Sequence, residues 1–436
     1  MSAQPLEAGF SQAAVDAVEE RFWGQLRDLE AKYVDLWLST DNKTPVLAEI
    51  STWRRRRDNA RAAWGLIDEL SVEVEQYPDA KEDRIGWRER LKEKVRRFGE
   101  ERLGWPAGYR KLLVADEFFD ATVEFARQAR TFDPSIRDAD LSQALRNVWI
   151  ANSIQMLLDL EVAFSPAIFA YSMLYPYTDN YLDDPGVSAE SKKSMNRRLE
   201  RRLRGEDVAP LDEHQRDIFR LVDIIEEHTS REELPEVYLS LRAIHRGQVE
   251  SLRQQGSEPH LGAEQILRLS VAKGGASVLA DGYLAAGELS RSEAKFCFGY
   301  GVFLQFLDDL QDVCADREAG HATLFTLGAE RGPLDRTTSR LYRFMHRVVE
   351  SSERFSSPRY TDLKDLILRN CTFLLVGAVA ENPRLFSRRF RRSLERRWPF
   401  RFASMRRLRR RASDRLGKAI ETLREQREVG SPFELL

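Results

Sequence analysis

Residues 303–313 read FLQFLDDLQDV and set Asp308, Asp309 and Asp312 among Phe303, Leu304, Phe306, Leu307 and Val313. The stretch is helix-forming and mostly apolar. Moving a carboxylate out of water costs several kcal/mol unless positive charge meets it. Three together call for a cation of more than single charge, or for a face that stays wet. The preceding GYGVFLQFL (299–307) leaves little room for a wet face. On a helix, residues four apart lie about 40° around the axis from each other, so the side chains of Asp308 and Asp312 can converge, with Asp309 on the flank.

The same spacing occurs upstream in DNYLDD (179–184), where Asp179 and Asp183 form the pair and Asp184 stands beside them. Like charges four apart destabilise a helix by a few tenths of a kcal/mol, a cost that bridging cations offset. Magnesium suits such a pair. It prefers oxygen ligands, keeps several waters, and commonly joins one or two carboxylates to a substrate's phosphates. Lys273, in SVAKGGASVLADG (270–282), is a candidate phosphate contact. Gly274 and Gly275 after it would each cost a helix about 1 kcal/mol relative to alanine. The pair predicts a break there, or a close approach of backbone to ligand; a solvated lysine beside a packing kink is the alternative. Asp281 is the sole charge in SVLADGYLAAG, read as a proton acceptor, as a group that steers a basic side chain, or as a helix-edge acid meeting water.

The chain of 436 residues, 42% hydrophobic, is long enough for one large core or two smaller ones. Its 68 basic and 70 acidic side chains leave a formal net charge of −2, which singles out no partner. No nucleic-acid partner is expected. Cys297, Cys314 and Cys371, an odd and sparse set, suggest reduced thiols in a cytoplasmic protein. The start, MSAQPLEAGF, lacks the basic and apolar regions of a secretory signal. The longest apolar run, FLLVGAVA (373–380), is too short to span a bilayer. Six scattered histidines without HExxH or paired-cysteine spacing argue against zinc.

Helical periodicity dominates and predicts an all-α fold. A charged N-terminal helical region is expected over 1–140, with a stop at Gly104. From about Leu141 the helices become longer and more apolar. SPAIFAYSMLYPYTDNYLDDPG (165–186) should start with Ser165 as N-cap and Pro166 in the first turn, and end at Asp184-Pro185-Gly186. A second domain over 141–350 and C-terminal helices over 351–436, packed on that domain, complete the expected organisation. Residues 388–415 concentrate arginine with Trp398, Phe400 and Phe402. They read as an anionic-surface contact or as a helix whose arginines pair with the acidic N-terminal region.

Several of these elements together resemble a known family. FLQFLDDLQD is similar to the second aspartate-rich motif of trans-isoprenyl diphosphate synthases, with Gln305 three positions before its DDxxD. DNYLDD lies 308 − 179 = 129 residues upstream, where that family's first motif falls, and KGG lies 308 − 273 = 35 residues before the second. RGQVES (246–251) is loosely similar to its Gly-Gln-x-x-Asp helix, with Ser251 near the acid's place, and GHATLFTL (320–327) to its glycine-threonine-leucine loop. The resemblance covers roughly 140–335.

The resemblance implies a class I isoprenoid synthase-like helical bundle around a central cavity. Two aspartate motifs would face each other there and hold Mg2+, three ions in the family, with Asp179, Asp183, Asp184, Asp308, Asp309 and Asp312 as ligands. Lys273 and Arg146 would bind diphosphate. Tyr175, Phe303, Gln305 and Phe306 would line the pocket, with Tyr177 and Trp149 as further candidates. In the elongating branch, bulk one turn before the first motif sets cavity depth, a place that Leu174 and Tyr175 hold here. The chain departs from that branch in three ways. It offers only Arg146 upstream, the pair Arg197-Arg198 lies well past Asp184, and the first motif is DxxxDD, closer to that of squalene and phytoene synthases. These departures favour a terpene cyclase acting on one linear prenyl diphosphate. A chain-elongating or head-to-head condensation, or a non-catalytic prenyl-binding subunit, are the alternatives. Peripheral membrane attachment through the basic segment and a homodimer are further partners the reading allows.

Overall fold

The computed structural model describes residues 12–427, except 46, 48–50, 107–108, 110–115, 185, 256–260 and 354–356. The first ten residues, read above for a leader, and Pro185 lie outside the described residues. Within them the chain is all-helical, with no strand. In chain order come α1 Gln12–Ser39, α2 Trp53–Glu75, α3 Lys81–Phe98, α4 Asp116–Phe132, α5 Asp138–Leu157 and α6 Pro166–Asp183. Next are α7 Ala189–Leu203, α8 Glu213–His228, α9 Pro235–Ser251, α10 Ala263–Ala286 and α11 Arg291–Gln311. The chain closes with α12 Val313–Ala319, α13 Leu324–Arg331, α14 Asp335–Glu350, α15 Thr361–Glu381, α16 Arg388–Glu395 and α17 Phe402–Arg427.

Local signals set several of the ends. The side chain of Ser165 accepts from the Ile168 amide and Pro166 opens α6, whose C-cap is Asp184. Both follow the preference for a hydroxyl N-cap and a first-turn proline. After α3, one π-helical turn ends at Gly104, whose φ of 69° is the left-handed cap conformation that glycine adopts without strain.

Two compact units emerge. One contains α1 with Ala139–Gln305; the other contains Thr40–Asp138 with Phe306 onward. The N-terminal 140 residues, expected as one charged region, therefore divide between the units at Ser39. The reason lies in what α1 carries. Its Glu19 and Glu30 pair with Arg242 and Arg246 of α9 at 2.9 and 2.8 Å, and both arginines lie over the Trp23 ring. Tyr33 is buried, donates to the Lys295 carbonyl at 2.6 Å, and stacks on Phe298.

In this first unit α9 lies along α10, α6 along α8, and α10 touches α1 and α6. Helix α10 is apolar nearly all round, and Val271, Ala276, Val278, Leu279 and Ala280 are buried. Such a helix belongs in a core. The expected break at Gly274-Gly275 does not occur, because α10 is continuous from Ala263 to Ala286. The glycines serve helix contact instead. A Cβ at Gly274 would lie 2.4 Å from Gln305 Cβ and 2.9 Å from the Gly301 carbonyl; one at Gly301 would lie 2.1 Å from the Gly274 carbonyl. On the other side, a Cβ at Gly247 of α9 would meet Lys273 Cα at 2.9 Å.

In the second unit α2 and α3 form an antiparallel hairpin, with Lys94 against Glu69 and Arg90 against Glu73. Helix α17 runs parallel to α2. Arg401 lies over Trp53, Arg411 over Trp64 and against Asp68 at 2.6 Å, and Leu423 joins Tyr77 and Trp87 in a buried cluster. Part of the basic segment thus pairs with the charged N-terminal region. The three cysteines are free, two of them buried. No helix among the described residues is long and apolar enough to cross a membrane.

Candidate functional site

Three helices of the first unit converge on one carboxylate. Asp179 sits one turn before the end of α6, and its side chain is only 20% exposed. Its Oδ1 accepts from Gln248 Nε2 of α9 at 2.9 Å, and Lys273 Nζ of α10 lies 3.9 Å from Oδ2. Glycine at 247 and at 274 lets α9, α10 and α11 approach closely at this level, which is what places Lys273 within reach. Burial raises the pKa of the Asp179 carboxyl and the like charge of Asp183 adds to the rise; Lys273 and Gln248 oppose it. Asp183 is exposed one turn on, and its Oδ1 accepts from Gln255 Nε2 at 2.7 Å. Asp184 is exposed, caps α6, and accepts from the Gly186 amide.

Beneath Asp179 lies a narrow cleft of about 30 Å³, lined by Tyr171, Leu174 and Tyr175 of α6, Leu203 of α7, and Ile244 and His245 of α9. A volume of that size holds a water or two. The Tyr175 hydroxyl bonds Ser277 Oγ of α10 at 2.5 Å and the Tyr171 hydroxyl at 2.9 Å, and Tyr171 donates to the Ser277 carbonyl. His245, buried, meets the Asn196 carbonyl through Nε2 at 3.0 Å, and desolvation lowers its pKa, which favours the neutral ring.

Asp281 is fully buried on α10, so the reading of a helix-edge acid meeting water is corrected. Its Oδ1 accepts from Asn147 Nδ2 at 3.0 Å, and Asn147 also reaches Ser172 Oγ at 3.0 Å. Its Oδ2 has no hydrogen-bond partner among the described residues. Desolvation raises the carboxyl well above its ordinary range, the Asn147 bond opposing, so burial favours the protonated form.

The other predicted residues lie elsewhere. Arg146 is exposed on α5, and Trp149, on the same helix, is 39% exposed. Phe303 is fully buried with its ring nearly parallel to that of Tyr300, and Gln305 is half-buried at the α10 contact. In the second unit Phe306 packs against Phe344. Asp308 and Asp309 close α11; Asp308 is exposed and Asp309 only 6% exposed. Asp312 lies just outside that helix as the N-cap of α12, and its amide donates to the Asp308 carbonyl at 2.9 Å. Gly320 (φ 73°) ends α12 and Thr323 caps α13, so GHAT (320–323) is a tight inter-helix turn and LFTL opens α13.

Sequence reasoning missed Gln248, Gln255 and Ser277. Gln248 stood inside RGQVES, where Ser251 drew the attention; Ser251 donates back to the Gln248 carbonyl at 2.8 Å. Among the described residues no group of three or more histidine, cysteine, aspartate or glutamate side chains is gathered to hold a metal by itself. The donor set of Asp179 and Asp183, hard oxygens at one helix end, fits a cation that keeps its waters and shares itself with a phosphate. No protein-family model matches the chain, and no curated protein sequence does.

Proposed function

We propose that the chain is a magnesium-dependent class I terpene synthase-like enzyme acting on a single linear prenyl diphosphate. The observation that supports this best is Asp179, sunk above an apolar, tyrosine-lined cleft and met by Lys273 and Gln248 from two further helices. Asp179 and Asp183 would hold magnesium from this side, and Asp308, Asp309 and Asp312 are the second proposed ligand set. The bound metal supplies positive charge to a leaving diphosphate. Lys273 Nζ binds a phosphate oxygen and stabilises the negative charge that develops on it. Gln248 and Gln255 orient the carboxylates.

In the reaction the allylic C–O bond breaks and its electron pair leaves with diphosphate. As it stands the cleft holds only a water or two, so a bound prenyl chain would have to part α6 from α9. The hydrocarbon cation would then lie among Tyr171, Tyr175 and the leucines, where ring faces attract it and water is excluded. The electron pair of a distal double bond then attacks the cationic carbon and forms the ring, and loss of a proton to the released diphosphate leaves a neutral cyclic alkene. Local engagement of Arg197 and Arg198 favours one substrate over two. Arg198 donates to Gln215 Oε1 and the Ala209 carbonyl, and Arg197 pairs with Glu190.

The test is pyrophosphate release from geranyl, farnesyl or geranylgeranyl diphosphate with magnesium, in wild type and in Asp179→Ala and Asp309→Ala. Each variant should lose activity on the order of 10²-fold or more while its circular dichroism stays helical. Full activity in either removes that residue from the mechanism.

A further inference from the structure

Helix α16 divides its side chains sharply. Phe390 and Leu394 are buried inward, and the Phe390 ring stacks on Phe386. Outward stand Arg388, Arg389 and Arg392, followed by Arg396, all exposed and all without an acidic partner among the described residues. Arg407 and Arg410 of α17 are likewise exposed and unpaired there. The nearby acids are engaged: Glu395 accepts from the Phe402 amide at 2.8 Å, and Glu381 lies 3.7 Å from Arg409. This contrasts with Arg411, which is bonded to Asp68.

Beside this unpaired arginine set the chain exposes two consecutive large apolar residues. Phe373 of α15 is 47% exposed and Leu374 is 42% exposed, and the Phe373 ring lies 5.8 Å from Trp398, two residues after Arg396. A polyanion needs only the charges. A bilayer surface uses both, since arginines meet anionic headgroups while an aromatic and a leucine enter the interface.

We infer that this face of the second unit, Arg388, Arg389, Arg392 and Arg396 with Phe373 and Leu374, docks the protein on an anionic lipid bilayer. The chemistry recognised is a phosphodiester headgroup of net negative charge at an apolar boundary. The contact is peripheral, since the inward residues of α16 are already buried in the protein.

Flotation of the full chain with vesicles tests it: phosphatidylcholine alone, and phosphatidylcholine with an equal part of phosphatidylglycerol, at 0.1 and 0.5 M salt. Binding is expected to the anionic vesicles only, weakening in high salt. Each arginine near an anionic surface is worth about fivefold, so Arg389→Ala with Arg392→Ala should weaken partition about 25-fold. Phe373→Ser should weaken binding several-fold without changing its salt dependence. Both sets of side chains are exposed, and circular dichroism checks that the variants stay folded. No flotation with anionic vesicles at low salt overturns the inference. So does retention that is indifferent to Phe373→Ser, or that is displaced as well by single-stranded RNA, since a polyanion site would then be present. The vesicle readout requires no catalysis, so its failure and failure of the proposed reaction are separate results.

Discussion

The contact between α10 and α11 is the joint on which the candidate site rests, and Gly301→Ala probes it. A Cβ there would lie 2.1 Å from the Gly274 carbonyl oxygen and 3.2 Å from Val278 Cβ. Ordinary contact needs more than a further ångström, and the atom struck is backbone that cannot rotate aside. Overpacking of this kind costs about 3 kcal/mol at the upper end of its range. Replacing glycine by alanine within a helix returns about 1 kcal/mol, leaving a net loss of about 2 kcal/mol. The control is Gly24→Ala in α1 of the same unit, where the nearest atom is the flexible end of Arg27 at 3.9 Å. It should gain about 0.5–1 kcal/mol. Urea unfolding followed by circular dichroism reads both. Pyrophosphate release should fall in Gly301→Ala, because Gly274 and Lys273 ride on the same displaced helix. A Gly301→Ala protein as stable as wild type would refute the close-contact account.

Three further outcomes are expected. Because burial raises the Asp281 pKa above its ordinary value of 3.8, the folded state holds a proton that the unfolded chain has released. Stability from this group is therefore complete below pH 3.8 and falls as pH rises through the folded pKa, by up to about 1.4 kcal/mol per pH unit. Asp281→Asn, which keeps the acceptor for Asn147, should flatten that dependence as pH rises above 3.8 in urea titrations; an unchanged slope would contradict it. Gln255→Ala frees Asp183 from its amide and should weaken magnesium activation about 10-fold or more while leaving stability unchanged, as seen in magnesium titrations of activity. Leu174→Ala enlarges the cleft at its apolar wall and should shift preference toward longer prenyl diphosphates, read by mass spectrometry of products; an unchanged preference would place the chain elsewhere.

Periodicity made the all-helical class legible, because apolar residues recur at helical spacing along most of the chain. Local chemistry made several ends legible, as at Ser165-Pro166 and Gly104. Spacing put Asp179 and Asp183 on one helix correctly, but it presumes a continuous helix, and α11 ends at Gln311, leaving Asp312 to cap the next one. Gly274-Gly275 looked like a break because sequence gives the intrinsic cost of glycine and not the helix that fills the missing Cβ's place. Asp281 could not be told from a helix-edge acid, since α10 is apolar on every side and no face marks solvent. The bonds from Gln248 and Gln255 join residues 69 and 72 positions apart, a proximity that only the folded chain creates.

The most direct measurement is pyrophosphate release by the purified full chain with prenyl diphosphates of increasing length, with and without magnesium, in wild type and Lys273→Met. Metal-dependent release with at least one substrate, lost on the order of 10²-fold in the variant, is the predicted result. No release from any of them by folded wild type, with magnesium present, would contradict the account.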